Sequence, residues 1–207
     1  IPQGMPYPDM DNPEYIHAIA EQVVKLVYAT NGHTAVLFTS YKVLNAVYEQ
    51  TKDRLSAFDL FCMTRSNRTA IQDFKKSRNG VLFASGSMWE GVDCIGDTLS
   101  SVIIVKLPFP RRSAVMEQKK AESENVRDFI RRYAVPEMLI KLRQGVGRLI
   151  RSEDDTGLVS VLDSRAAMGE HGTRVAKVLQ KYPSVSSIDE IEAFMWAVKP
   201  KEYFSEV

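Results

Sequence analysis

Two hydrophobic periodicities alternate along this chain. Short continuous apolar runs occur at Ala35-Val36-Leu37-Phe38, Gly80 to Ala84 and Val102 to Val105, and two further strand candidates, Phe58 to Met63 and Leu158 to Leu162, are broken only by Asp59 and Ser160. Runs of this length fit strands covered on both faces, the condition of a parallel sheet. Between them, apolar residues recur every three or four positions, as on one face of a helix. Ile16, Ile19, Ala20, Val23, Val24 and Val27 make the first such stripe, and Val43, Leu44, Val47 and Tyr48 the second, reaching about Leu55. Strands that alternate with helices predict the α/β class, with a mostly parallel sheet and helices on both faces. Ligands of such sheets gather at the carboxyl ends of the strands. That directs attention to Thr39-Ser40-Tyr41, Ser85 to Asp93, Lys106 to Arg112 and Asp163 to Arg165.

Punctuation residues divide the chain. Pro2, Pro6, Pro8 and Gly4 forbid regular structure in residues 1–12, which read as an extended arm or linker. Asn12 before Pro13 starts a helix, and Asn31-Gly32 ends it. Asn67 is expected to cap a short helix carrying Ile71 and Phe74. A Pro-rich connector and a charged helix, reaching about Tyr133, interrupt the alternation as a helical insertion at about 111–135 within a domain of residues 13–207. Helices near Gly172 to Tyr182 and Ser187 to Trp196 close the chain, the second opened by the capping pair Ser187 and Glu190.

The most informative stretch is Gln144-Gly145-Val146-Gly147-Arg148-Leu149-Ile150-Arg151. On a helix at about 100° per residue, Gln144, Arg148 and Arg151 fall within roughly 60° of one another. Met138, Leu139, Leu142, Val146, Leu149 and Ile150 collect on the opposite face. Two guanidinium groups on one front suit a polyanion such as a nucleoside triphosphate. A solvated basic face would give the same arginines. It would not ask for two glycines, each costing about 1 kcal/mol in a helix, which close approach of a ligand or another backbone would explain.

The 207 residues are 44% hydrophobic and 26% charged, with a net charge of +1. Charge is nonetheless unevenly placed: Lys106 to Arg151 holds 12 Lys/Arg against 5 Asp/Glu. A localised anionic partner would account for this, as would exposed helix faces partly neutralised by Glu117 to Asp128. Pro, Phe109 and the pair Arg111-Arg112 would make a single-strand nucleic-acid surface. A rigid connector is the plainer reading of those residues. Cys62 and Cys94 have no metal-ligand or disulfide spacing, which points to a reducing interior. His17, His33 and His171 are scattered, so neither a zinc site nor a Ser-His-Asp triad is expected. No apolar run approaches the ~18 residues of a membrane span.

Directly after the third strand, Ser85-Gly86-Ser87-Met88-Trp89-Glu90-Gly91-Val92-Asp93 offers backbone N–H groups for phosphate and carboxylates for ribose or an arginine. The rest of a nucleotide site is missing from the sequence. There is no G-x-x-x-x-G-K-[ST] loop and no Asp-Glu pair after an apolar strand to hold Mg²⁺. The arginines read as half a site, closing on a nucleotide held elsewhere.

These segments resemble a known family. Gln144 to Arg151 is similar to motif VI (Q-x-x-G-R-x-x-R) of superfamily-two helicases, Ser85 to Asp93 to their motif V in the form of the DinG/XPD group, and Leu37 to Tyr41 to motif IV. The Leu-Pro-Phe-Pro after the fourth strand and Asp163-Ser164-Arg165 after the fifth fit as well, in the expected order. The resemblance, nearest the bacterial DinG-like branch, implies the second RecA-like lobe of an ATP-dependent DNA helicase. It implies 5′→3′ movement, a role in DNA repair, recombination or replication, and a bacterial cytoplasmic location. Single-stranded DNA and the N-terminal lobe of the same protein are the implied partners. ATP and Mg²⁺ would be held mainly by that first lobe, where an iron–sulfur cluster would also belong. Arg148 and Arg151 would touch the γ-phosphate, helped by Gln144. Gly147, Glu90, Gly91 and Asp93 would serve ATP binding and the lobe interface. Thr39, Ser40, Tyr41, Ser85 and Ser87, with Arg111 and Arg112, would line the DNA track. The chain alone is expected to be inactive. Two other readings stay open: a non-catalytic nucleic-acid or protein interaction module on the same fold, and a lobe of an RNA-directed ATPase.

Overall fold

The computed structural model describes residues 2, 4–63, 69–85, 94, 96–150, 155–180 and 182–204. Five strands, β1 (Thr34–Phe38), β2 (Leu60–Cys62), β3 (Val81–Ser85), β4 (Ser101–Ile104) and β5 (Leu158–Val161), form one sheet in the order β2-β3-β1-β4-β5. Every pairing is parallel; Val36, for example, lies between Phe83 and Ile103. The continuous apolar runs are explained by coverage of both sheet faces. Val36, Phe38, Phe83 and Ile103 face one core, and Ala35, Leu37, Leu82, Val102 and Ile104 face the other. The edge strand β2 is only half-buried, and it is the shortest.

Helices α1 (Pro13–Ala29), α2 (Tyr41–Thr51) and α8 (Ile188–Val198) fill the first core. The second is built by α3 (Ala70–Phe74), α6 (Val135–Val146) and α7 (Gly169–Leu179). Two short helices, α4 (Ala114–Ala121) and α5 (Val126–Phe129), lie between β4 and α6, and a π-helical turn over Ile130–Ala134 joins α5 to α6. The start of α1 follows its sequence: the Asn12 side chain accepts the Glu14 N–H at 2.9 Å, and Pro13 needs no N–H partner there. Ser187 caps α8 by accepting the Glu190 N–H at 3.1 Å, while the Glu190 carboxylate reaches one residue further back, to the Ser186 N–H at 2.6 Å. Helix α2 stops at Thr51, four residues before Leu55, and the chain continues in turns. The expected Asn67 cap lies outside the described residues; α3 begins after Thr69. Cys94 is buried, and burial pushes its thiol up to about 11, as expected of an inert core cysteine.

The amino ends of the strands are closed by a clasp between distant parts of the chain. Asn31, Gly32 and His33 are consecutively left-handed as α1 turns into β1. At Gly32 a Cβ would lie 2.2 Å from the Asn79 carbonyl oxygen, so only glycine fits. Tyr203, in a helical turn over Lys201–Phe204, donates its hydroxyl to the Thr30 carbonyl at 2.7 Å and stacks on His33 at 4.1 Å. Lys199, close by, is tied to Asp97 at 2.5 Å and to the Thr156 carbonyl at 2.7 Å.

Burial holds the His33 imidazole down to about pKa 4, outweighing the Asp97 and Tyr203 backbone groups and the Asp97 charge beside it; the Lys199 charge adds to the lowering. A histidine depressed in the folded state contributes stability that is present above its unfolded pKa of about 6.5 and is lost as pH falls towards 4. The full loss is on the order of 3 kcal/mol. His33→Asn keeps a residue that tolerates the left-handed backbone and removes the titration. Urea unfolding at pH 7 and pH 4.5 is expected to show a smaller stability loss in the variant than in the parent chain. Parallel pH profiles would contradict this assignment.

Candidate functional site

The end of α6 differs from the uninterrupted helix the sequence predicts. Regular α-structure stops at Val146, and Gly147 is the C-cap. Beyond it the bonds tighten: the Arg148 N–H reaches the Gly145 carbonyl at 3.3 Å, and the Leu149 N–H reaches the Val146 carbonyl at 3.1 Å. Such i→i+3 closure is the usual way to satisfy a helix end. Met138, Leu142, Val146 and Leu149 are anchored in the second core. Gln144 and Gly147 are exposed, and Arg148 is half-exposed with its Nε buried. Gly147 has an ordinary helical φ of −67°, and among the described residues a Cβ there would meet only the Arg143 and Gln144 carbonyls of its own helix. Packing among the described residues does not demand a glycine here. Arg151 lies outside the described residues.

A second group gathers at the carboxyl ends of the strands. Thr39, Ser40 and Tyr41 are half-exposed after β1. Ser40 is the N-cap of α2, and its hydroxyl makes no capping bond. Arg111 folds back to donate to the Thr39 carbonyl at 3.0 Å, which brings the Pro-rich connector onto the same edge. Arg112 is exposed beside it. Ser85 differs from expectation. As the last residue of a strand flanked on both sides and paired with Phe38, it is 1% exposed and presents no hydroxyl to the surface. Ser87, Glu90, Gly91 and Asp93 lie outside the described residues.

The sequence reading missed how strongly this edge is organised by Asp163. Fully buried just beyond β5, its carboxylate accepts the Leu107 N–H at 2.8 Å and the Arg165 N–H at 3.0 Å. It also takes the Arg165 guanidinium in a fork, Nε at 3.0 Å and Nη2 at 2.6 Å. Burial alone would lower the Arg165 pKa, and Asp163 more than reverses that. The guanidinium then lies 5.0 Å from the Phe109 ring and 5.8 Å from the Tyr7 ring. Ser164 donates to the Pro6 carbonyl at 3.3 Å, Pro8 is buried, and Asp11 pairs with Lys42. The N-terminal arm is therefore docked across the carboxyl edge. Burial, with the Arg165 charge second, lowers the Lys106 pKa in the same cluster. The Asp-x-Arg directly after a strand was the available signal. What it ties together is non-local and has no sequence signature.

The two groups stand at opposite ends of the sheet. Ala134, just before α6, lines the same cavity as Arg111. Leu149, just after α6, meets the space beside Gly157 and the Ser100 carbonyl at the start of β4. Helix α6 thus runs antiparallel to the strands, and 12 helical residues span about 18 Å. Gln144, Gly147 and Arg148 therefore stand away from the carboxyl edge that holds Ser85 and Thr39 to Tyr41. Among the described residues no group of three His, Cys, Asp or Glu could hold a metal ion, and no helix is long and apolar enough to cross a membrane.

Residues 23–182 match the model of the family Helicase C-terminal domain. The chain is 33% identical to the ATP-dependent DNA helicase YoaA of Escherichia coli over 91% of its own length and 30% of that protein's. It is 30% identical to the 3′-5′ exonuclease DinG of Bacillus subtilis, over 94% of this chain and 22% of that one. A solved XPD helicase chain superposes with a TM-score of 0.65 at 19% identity, over 90% of this chain and 34% of that one. At that identity the likeness is one of fold. The chain spans about 30% or less of the length of these curated relatives.

Proposed function

This chain belongs to the helicase C-terminal domain family, and from that we propose that it is the second motor lobe of an ATP-dependent DNA helicase of the DinG type. The observation that supports the reading is a group of residues resembling one half of a nucleotide site. Gln144 and Gly147 are exposed and Arg148 is half-exposed at the end of α6, and the sequence holds no G-x-x-x-x-G-K-[ST] loop to complete them. A first lobe would bring that loop, Mg²⁺ and, where present, an iron–sulfur cluster. Mg²⁺ would neutralise developing phosphate charge there; this chain would add Arg148 and Arg151 from the opposite side. Gln144 would place the γ-phosphate or the attacking water. Glu90, Gly91, Asp93 and Gly147 would form the lobe contact.

Single-stranded DNA would run over the carboxyl edge, along the N-terminus of α2 and past Arg111 and Arg112. Ser87 belongs with that track, whereas burial of Ser85 favours a structural place for it. Separation of the two groups by about the length of α6 suits a motor, since nucleotide closure at one end would shift the DNA contacts at the other. The docked arm, Pro6 to Asp11, would carry the connection from the first lobe directly onto this edge.

The chain by itself is expected to turn over no ATP and to bind single-stranded DNA weakly. With the first lobe supplied, hydrolysis should appear and should be stimulated more by single-stranded DNA than by RNA. Turnover by the isolated chain would overturn the half-site. Stimulation by RNA alone would move the assignment to an RNA-directed motor.

A further inference from the structure

A cavity of about 210 Å³ lies between the Phe109–Arg112 connector and the helical insertion. Its walls include Phe109, Phe129 and Val126, and its rim carries Arg111, Arg112 and Lys120 against a single acid, Glu117. Phe129 and Val126 pack with neither hydrophobic core, and Val126 is 58% exposed. The π-helical turn Ile130–Ala134 starts immediately after Phe129, and two of its residues line the slot. An inserted π-turn re-aims the side chains before it and is frequent at binding sites.

We propose that this slot takes one unstacked base of the single strand, held beside Phe129 while the flanking phosphates pass over Arg111, Arg112 and Lys120. The proposal rests on the reading of the carboxyl edge as the nucleic-acid track and adds a base subsite to it. Arg111 fixes the location, because its bond to the Thr39 carbonyl sets the mouth of the slot at the end of β1. The size also matters: the cavity lies below the roughly 300 Å³ at which drug-sized ligand sites begin, so it suits one flat ring system. A small apolar slot inside a cationic rim matches the two halves of a nucleotide unit, base and phosphate. Stacking on an aromatic ring is tolerant of base identity, as a motor that walks along any sequence requires.

The test uses this chain at low ionic strength, with fluorescence anisotropy on an oligothymidylate of about 12 nucleotides and on an abasic strand of equal length. The oligothymidylate is expected to bind about tenfold more tightly than the abasic strand. Phe129→Ala should abolish that difference and leave abasic binding unchanged; Arg111→Ala with Arg112→Ala should weaken both strands. Phe129→Leu, which keeps apolar volume without the ring, repeats the test should the alanine variant fold poorly. Equal binding of the two strands by the parent chain, or a base preference untouched in both Phe129 variants, overturns the base subsite and leaves the track standing. Strand binding that is indifferent to loss of Arg111 and Arg112, or no binding at all, overturns the track and the subsite together.

Discussion

Replacing Arg148 by alanine in a protein that carries both lobes is expected to cut ATP hydrolysis by about 10³–10⁵-fold. Removal of Arg151 should cost a comparable factor if the two act as one clamp. Arg148 stands at the end of α6. It follows the C-cap of α6 and is half-exposed, while the apolar anchoring of the segment comes from Val146 before it and Leu149 after it. Its loss should therefore shift the thermal midpoint by only a few degrees. A guanidinium brought against a transferring phosphoryl group stabilises charge that develops in the transition state more than charge in the bound substrate. The loss should accordingly appear in kcat with little change in KM. Arg148→Lys should recover only part of it, because an ammonium does not reproduce the planar fork. Near-normal turnover in both alanine variants would sink the assignment.

The second large effect is on stability. Asp163→Ala is expected to destabilise the chain by about 3–5 kcal/mol in urea unfolding. The carboxylate is fully buried and accepts from Leu107 and Arg165, and its removal strands a largely buried guanidinium. Leaving one charge of a buried pair uncompensated costs more than the pair's own net worth. Asp163→Asn preserves the shape and one acceptor oxygen, and should fall between the alanine variant and the parent. A loss below about 1 kcal/mol in the alanine variant would show that Arg165 finds water or another partner at little cost. The consequences should extend beyond stability. Asp163 holds both the Leu107 backbone and the cation that lies against Phe109 and Tyr7. Loosening it would free the connector and the N-terminal arm, and strand binding at the carboxyl edge should weaken with them.

Much of the architecture was legible residue by residue. A continuous apolar run such as Val102 to Val105 can be buried only with both of its faces covered, which already implies a parallel strand between helix layers. Asn12-Pro13 and Asn31-Gly32 bound α1 because capping and left-handed turns are satisfied within a few residues. The Gln144 to Arg151 segment was visible for the same local reason: its residue types and spacing are unusual for a helix that serves packing alone. Its conformation was less legible. The periodicity of Leu142, Val146 and Leu149 continues past the true helix end, because a tighter terminal turn keeps Leu149 in the core nearly as well as another α-turn would.

What the sequence could not contain was direction and distance. Whether the arginine end of α6 meets the strands at their carboxyl or amino ends depends on how a long connection returns, and no pattern in residues 105–134 records it. The order β2-β3-β1-β4-β5, the arm lying against Ser164 and Arg165, and the slot beside Phe129 are likewise products of contacts between residues far apart in the chain. The sequence by itself determined the local chemistry: which segments are strands, which helix ends are capped, and which polar side chains have no place in a core. Only the tertiary structure decided that the two polar groups stand at opposite ends of the sheet, because backbone periodicity is a local property, whereas placement is settled by packing over the whole chain.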